Sequence, residues 1–204
     1  MTYLSIAARL VRQHEGVMHE PYDDATGKRP IALGHITIGV GRNLEARPLT
    51  DDEVDYLLAN DLAENEKQVR KWLGSYKVET SKPYPIKITA GPNGITQEPV
   101  NKPEDDWDYF DLLSDNRKAA LLDLAHWGNI QSGKMLKANL LQALKPGQSF
   151  LNYYALAADE ILYKDGKDPS NGPSGWYQIS PTRAQELADI IETNRLPKGL
   201  KEEE

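Results

Sequence analysis

Residues 14–44 contain His14-Glu15-Gly16, then Tyr22-Asp23-Asp24-Ala25-Thr26-Gly27, then Thr37-Ile38-Gly39-Val40-Gly41-Arg42-Asn43-Leu44, and this stretch decides the fold. Upstream, Tyr3, Ile6, Ala7, Leu10 and Val11 recur at helical spacing, so Glu15 ends an amphipathic helix and Gly16 is its left-handed stop. Downstream, Ile36-Thr37-Ile38-Gly39-Val40 alternates with the period of a strand. Met18 to Asn43 therefore reads as a small β-hairpin lobe of short apolar runs and Gly and Asp turns. A carboxyl at a helix C-terminus faces the negative end of the dipole and unpaired carbonyls, and partial burial adds to the effect; both favour the protonated form. A general acid working near neutral pH needs that. Asp24 lies instead in a polar turn, where a carboxylate stays solvated and ionised. Two carboxyls in such different settings can divide acid and base roles. Standing alone, a Glu at a helix end is a solvated surface residue, so the weight rests on the whole constellation.

Composition narrows the alternatives. The 204 residues, 39% of them hydrophobic, suffice for one good core or two small lobes. There is no cysteine, so neither a disulfide nor a thiolate metal site is available. His14, His19, His35 and His126 have no ligand spacing, so no metal and no cofactor is expected; His14 reads as an exposed neighbour of Glu15. Arg9 and Arg12 fall where a signal peptide needs an apolar segment, so no signal peptide is expected. No run approaches a membrane span, so no membrane insertion is expected either. The net charge of −7 argues against a nucleic-acid partner. It is concentrated: residues 98–111 carry −5 and residues 201–204 carry −2, leaving the remainder neutral. Gly39-Val40-Gly41 lacks the Gly-Lys-Ser/Thr ending of a phosphate loop, and close backbone approach or a twisted strand accounts for it better.

Thr50-Asp51-Asp52-Glu53 is a capping box that opens a helix over 50–73, with Val54, Leu57, Leu58, Leu62, Val69 and Trp72 on its apolar side. From 74 to 107 five prolines exclude a continuous helix, and 85–89 and 95–98 flank Gly91-Pro92-Asn93-Gly94 as an added hairpin. Residues 108–196 read as a helical lobe. Ser114 caps a helix rich in Ala and Leu that ends near Gly128, a second helix stops at Pro146, Phe150 to Ile161 forms a third, and Ser180-Pro181 opens the last. Residues 197–204 read as a frayed tail.

The constellation resembles that of the T4-like phage lysozymes, the endolysins of glycoside hydrolase family 24, and the resemblance covers nearly the whole chain except the insertion. It carries residue by residue: Glu15 falls on the proton donor, Asp24, nine positions on, on the second carboxylate, and Thr37 on the hydroxyl opening the Thr-Ile-Gly-x-Gly strand. Tyr22 and Gly27 fit the same pattern, while residues 29–36 lengthen the hairpin relative to the shortest family members. Trp176-Tyr177-Gln178-Ile179-Ser180-Pro181-Thr182-Arg183-Ala184 repeats the family's Trp-Tyr…Pro-x-Arg-Ala segment. By this resemblance Arg183 approaches the catalytic Glu and helps hold it, and Trp176 packs the core. By the same resemblance Tyr22, Asn43, His126 and Arg183 are the substrate-binding candidates, with His126 and Asn43 departing from the usual residue types.

The resemblance implies an α+β, mainly α-helical, two-lobed lysozyme fold. It also implies a muramidase that cuts the β-1,4 bond between N-acetylmuramic acid and N-acetylglucosamine in peptidoglycan strands. Relatives are often basic, so this acidic chain depends less on long-range attraction to an anionic wall. The expected setting is a monomer made in the host cytoplasm, released by a separate holin or other factor, and acting on the periplasmic wall. A non-catalytic glycan-binding module and a virion-associated muramidase are the alternatives.

Overall fold

The structure is a computed structural model and describes residues 1–21, 36–40, 42–44, 46–76, 86–91, 94–99, 107–128, 130–145, 150–164, 166 and 169–200. The turn carrying Tyr22 and Asp24 lies outside the described residues, as do 29–35 of the lengthened hairpin and 201–204 of the tail. The described chain is rich in α-helix with short antiparallel strands. Its helices are α1 (Tyr3–Glu15), α2 (Asp51–Leu73), α3 (Asp115–Trp127), α4 (Lys134–Ala143), α5 (Phe150–Leu162), α6 (Gly175–Ile179) and α7 (Pro181–Thr193). Its strands pair locally: β1 (Thr37–Ile38) with β2 (Arg42–Asn43), β3 (Ser75–Tyr76) with β6 (Trp107–Asp108), and β4 (Ile86–Gly91) with β5 (Gly94–Pro99). Among the described residues no helix is long and apolar enough to cross a membrane.

Helix α3 is the centre of the core. Every residue from Ala119 to Leu124 has 0% exposure, and a helix apolar on all sides must be surrounded on all sides. Helices α1, α2 and α7 pack directly on it, and α5 packs between α4 and α7. Most of the apolar residues expected to face inward do so: Ile6, Ala7, Leu10 and Val11 from α1, Leu62, Val69 and Trp72 from α2, and Leu187, Ala188, Ile190 and Ile191 from α7 are buried, whereas Val54 and Leu58 at the start of α2 are half-buried and Leu57 is exposed. One polar residue sits inside this apolar run, Asp123, and its partners define the site below.

The capping box forms as the sequence requires. Thr50 Oγ1 accepts from the Glu53 backbone N–H at 3.3 Å, and Glu53 Oε2 accepts from the Thr50 N–H at 2.9 Å. Glu53 also receives Arg42, whose Nη2 donates to its Oε2 at 2.9 Å and to the Pro48 carbonyl. Arg42, with help from the Thr50 N–H, holds the Glu53 carboxyl down to about 2. One side chain thereby fixes β2 on the first turn of α2. Thr50→Ala removes one cap bond and is expected to cost about 1 kcal/mol, a fall of roughly 2–4 °C in the thermal midpoint for a chain of this size, checked by calorimetry.

Three expectations are corrected. The strand expected over 36–40 stops at Ile38, because Gly39 takes φ +55° and turns the chain, leaving Val40 fully exposed; Gly39 and Val40 form a turn rather than a twisted strand, and Gly41 lies outside the described residues. The tail is ordered as far as Leu200, which closes the 3₁₀ turn Lys198–Leu200 at 4% exposure and rests on the core, while Arg9 donates to the Gly199 carbonyl. Ser114 and Ser180, both expected as caps, flank α3 and α7 without capping them through their hydroxyls, and that of Ser114 donates instead to Asn194 Oδ1.

The hairpin expected within the insertion is present as β4 and β5, paired from Ile86 with Pro99 to Gly91 with Gly94. Its base is closed by β3 and β6, and Arg70 on α2 binds Glu66, Asp108 and Asp111 at 2.7, 3.0 and 2.8 Å. Two members of the acidic stretch thus serve as anchors where the insertion returns to the helices.

Candidate active site

Glu15 is the last residue of α1, and its side chain keeps 41% of its exposure. Gly16 at φ +75° ends the helix, with its N–H returning to the Arg12 carbonyl. A side chain in that conformation is strained, so glycine releases the chain directly beneath the carboxyl. Glu15 opens onto a cavity of about 200 Å³ between α1, α2 and α3. Val54, Leu57 and Leu58 of α2 line one side, with Asp61 and His126 also in the lining. Leu57 and Met18 are 47% and 51% exposed and leave apolar surface open at the cavity's edge. Asn65 on α2 lies 3.3 Å from His126 Nδ1, tying that ring to the adjoining helix.

Arg183 reaches Glu15 from near the other end of the chain. It sits in the first turn of α7 at 4% exposure, and its Nη1 hydrogen-bonds Glu15 Oε1. Its Nε donates to Asp123 Oδ1 at 2.9 Å, and its guanidinium lies 4.7 Å from the Trp127 ring centre. The remaining nitrogen, Nη2, is buried without an acceptor among the described residues. Asp123 is fully buried and turns its other oxygen to His14 Nδ1 at 3.0 Å. His14 in turn faces Glu186 Oε2 with Nε2 at 3.1 Å, and Gln13 donates to that same oxygen at 2.8 Å.

His14 is therefore not the exposed neighbour that its position in the sequence implied. Its side chain is 6% exposed and both ring nitrogens face carboxylates. Burial opposes its charge, but the hydrogen bond and field of Asp123, together with the bond to Glu186, outweigh burial and the repulsion of Arg183, and its pKa is raised above 6.5.

Thr37 lies on β1, exposed, in register with Asn43 on β2. Asn43 Oδ1 accepts from the Ala46 N–H at 3.3 Å. The structure thus brings Glu15, His126 and Arg183 together, and Thr37 with Asn43 on the hairpin; neither hairpin residue lines the cavity. Asp24 and Tyr22 lie outside the described residues. Sequence reasoning missed Asp123, Asn65 and Asp61. The signal for Asp123 was present: an acid within six consecutive core positions must find a cation, because an unpaired buried charge is too costly. Trp176, expected in the core, borders it and also lines a second recess of about 470 Å³ with Trp127, Gly133, Met135, Glu160 and Tyr163. That larger recess contains none of the expected site residues.

A comparison with curated proteins gives no match. A family model described as Phage lysozyme matches residues 12–83, a match that supports a glycoside hydrolase of the muramidase-type endolysin class. That span runs from the last turn of α1 to beyond the end of α2, and it contains Glu15, Asp24, Thr37 and Asn43. Over residues 12–83 the chain is similar to the phage lysozyme family.

Proposed function

We propose that the protein is an N-acetylmuramidase hydrolysing the β-1,4 bond between N-acetylmuramic acid and N-acetylglucosamine, with Glu15 as the general acid. The observation that carries this reading is the placement of Glu15: a carboxyl at the end of α1, open to a cavity, and held by a buried arginine 168 residues away. In the proposed reaction a glycan strand lies along the apolar wall of α2. Glu15 gives its proton to the glycosidic oxygen as positive charge develops on the sugar ring. Asp24 and Thr37 position and activate water on the opposite face, which gives inversion; that geometry calls for carboxyls roughly 6.5–9.5 Å apart. Tyr22, Asn43 and His126 contact the sugars, and Arg183 keeps the Glu15 carboxyl in place. The fold would be two-lobed, 15–48 and 108–196 joined by the helix over 50–73. The enzyme would act as a monomer on the periplasmic wall once a holin or other factor releases it.

Purified peptidoglycan incubated with the protein should release reducing ends in proportion to enzyme and time. Retained glycan binding without release would instead make the chain a recognition module. His126→Ala should raise KM about fivefold with kcat little changed, because it removes one substrate hydrogen bond worth about 1 kcal/mol. A drop confined to kcat would place His126 in the chemical step.

A further inference from the structure

The cluster beneath Glu15 contains a titratable group that the proposed reaction does not use. His14 immediately precedes Glu15 on α1, yet its ring turns away from the cavity and into the packing against α3 and α7. The charged groups facing it are Asp123 from α3 and Glu186 and Arg183 from α7. From its own helix, Gln13 binds the Glu186 oxygen that His14 also uses. Among the described residues no acid of α2 forms an ion pair with the ring, and the 198–200 turn supplies none.

A neutral imidazole has one N–H and one acceptor nitrogen; only the cation donates from both. Both partners of His14 are carboxylate oxygens, at 3.0 and 3.1 Å. The neutral ring would leave one of them facing a lone pair, whereas the charged ring satisfies both. Asp123 is the shared member: Oδ2 is taken by His14 and Oδ1 by Arg183 Nε, with no exposure to water that could replace either. Arg183 then delivers Nη1 to Glu15.

We propose that His14 is a positioning residue: as an imidazolium clamped between Asp123 and Glu186, it fixes the carboxylate on which Arg183 is anchored, and so the guanidinium that holds Glu15. This rests on the reading of Glu15 as the general acid. Because folding favours the charged ring, the clamp is complete below the ordinary histidine value of 6.5 and is lost as pH rises through the higher value in the folded protein.

Two measurements test it. In the native protein, nitrogen NMR of the histidine side chains should show both His14 ring nitrogens protonated at pH 6.5, and the Arg183 Nε resonance should shift with the same midpoint as His14. A His14 that titrates at or below 6.5, or an Arg183 resonance with no inflection there, overturns the proposal. Second, kcat/KM for His14→Gln is compared with native across pH. The native-to-variant ratio should be about tenfold at low pH, the scale of one hydrogen bond to a charged group, and fall towards one above the His14 midpoint. A ratio independent of pH would assign His14 a purely structural role and overturn the proposal. If the variant does not fold, the native NMR titration still decides. An inactive native protein would defeat the glycosidase reading, while the NMR arm would still report on the clamp.

Discussion

Glu15→Gln is expected to lower the rate of glycan cleavage about 10²–10⁴-fold, the contribution typical of a positioned general acid. At about 1.36 kcal/mol per factor of ten, this is roughly 3–5 kcal/mol of transition-state stabilisation. The fold should be unaffected, because the side chain is substantially exposed and the amide oxygen of Gln still accepts from Arg183 Nη1. Rate measured as reducing ends released, alongside the thermal midpoint of both proteins, separates the two effects. The expected pattern is a large loss of kcat, an unchanged KM within a factor of a few, and a midpoint within a few degrees of native. A variant with more than a tenth of native activity would remove Glu15 from the chemistry.

The second large effect concerns stability. Asp123→Ala removes a fully buried carboxylate that faces two cationic side chains, Arg183 and His14. Breaking a buried ion pair from one side leaves uncompensated charge behind and typically costs about 3–5 kcal/mol. For a domain of this size that is a fall in the thermal midpoint of roughly 6–20 °C. Activity per folded molecule should fall as well, since Arg183 loses its anchor and Glu15 its partner. Asp123→Asn should cost less, because the amide oxygen still accepts from Arg183 Nε. Calorimetry on both variants gives the comparison; equal and small losses would mean that the cluster contributes little to the fold.

Much of the architecture was legible in the sequence where local rules act without competition. The Thr50 capping box, Gly16 after Glu15, Pro181 after Ser180 and the apolar spacing of α1, α2 and α7 each specify an element by themselves. The strand over 36–40 was overestimated because period-two hydropathy does not register that Gly39 adopts a left-handed turn. Leu200 was assigned to a frayed tail because nothing local reveals that its pocket lies against the core.

The site divides along the same line. Of the residues that the family pattern suggested, the structure places Arg183 against Glu15, while Thr37 lies on the hairpin and Asp24 outside the described residues. The clamp beneath Glu15 was not legible, since its members come from α1, α3 and α7, 60 to 172 residues apart in sequence. His14 looks like any polar residue at the end of a surface helix until Asp123 and Glu186 are seen to meet its two ring nitrogens. An acid at position 123 flanked by core leucines was the one local clue, and it demanded a cation without naming it.

The most direct test of the central claim is the chemistry of the new chain ends. After digestion of purified peptidoglycan, the products are reduced with borohydride and analysed by mass spectrometry. The newly formed ends are expected to be the reduced form of N-acetylmuramic acid, present with the native protein and absent with Glu15→Gln. New ends derived from N-acetylglucosamine, or cleavage of peptide bonds with the glycan intact, would contradict it.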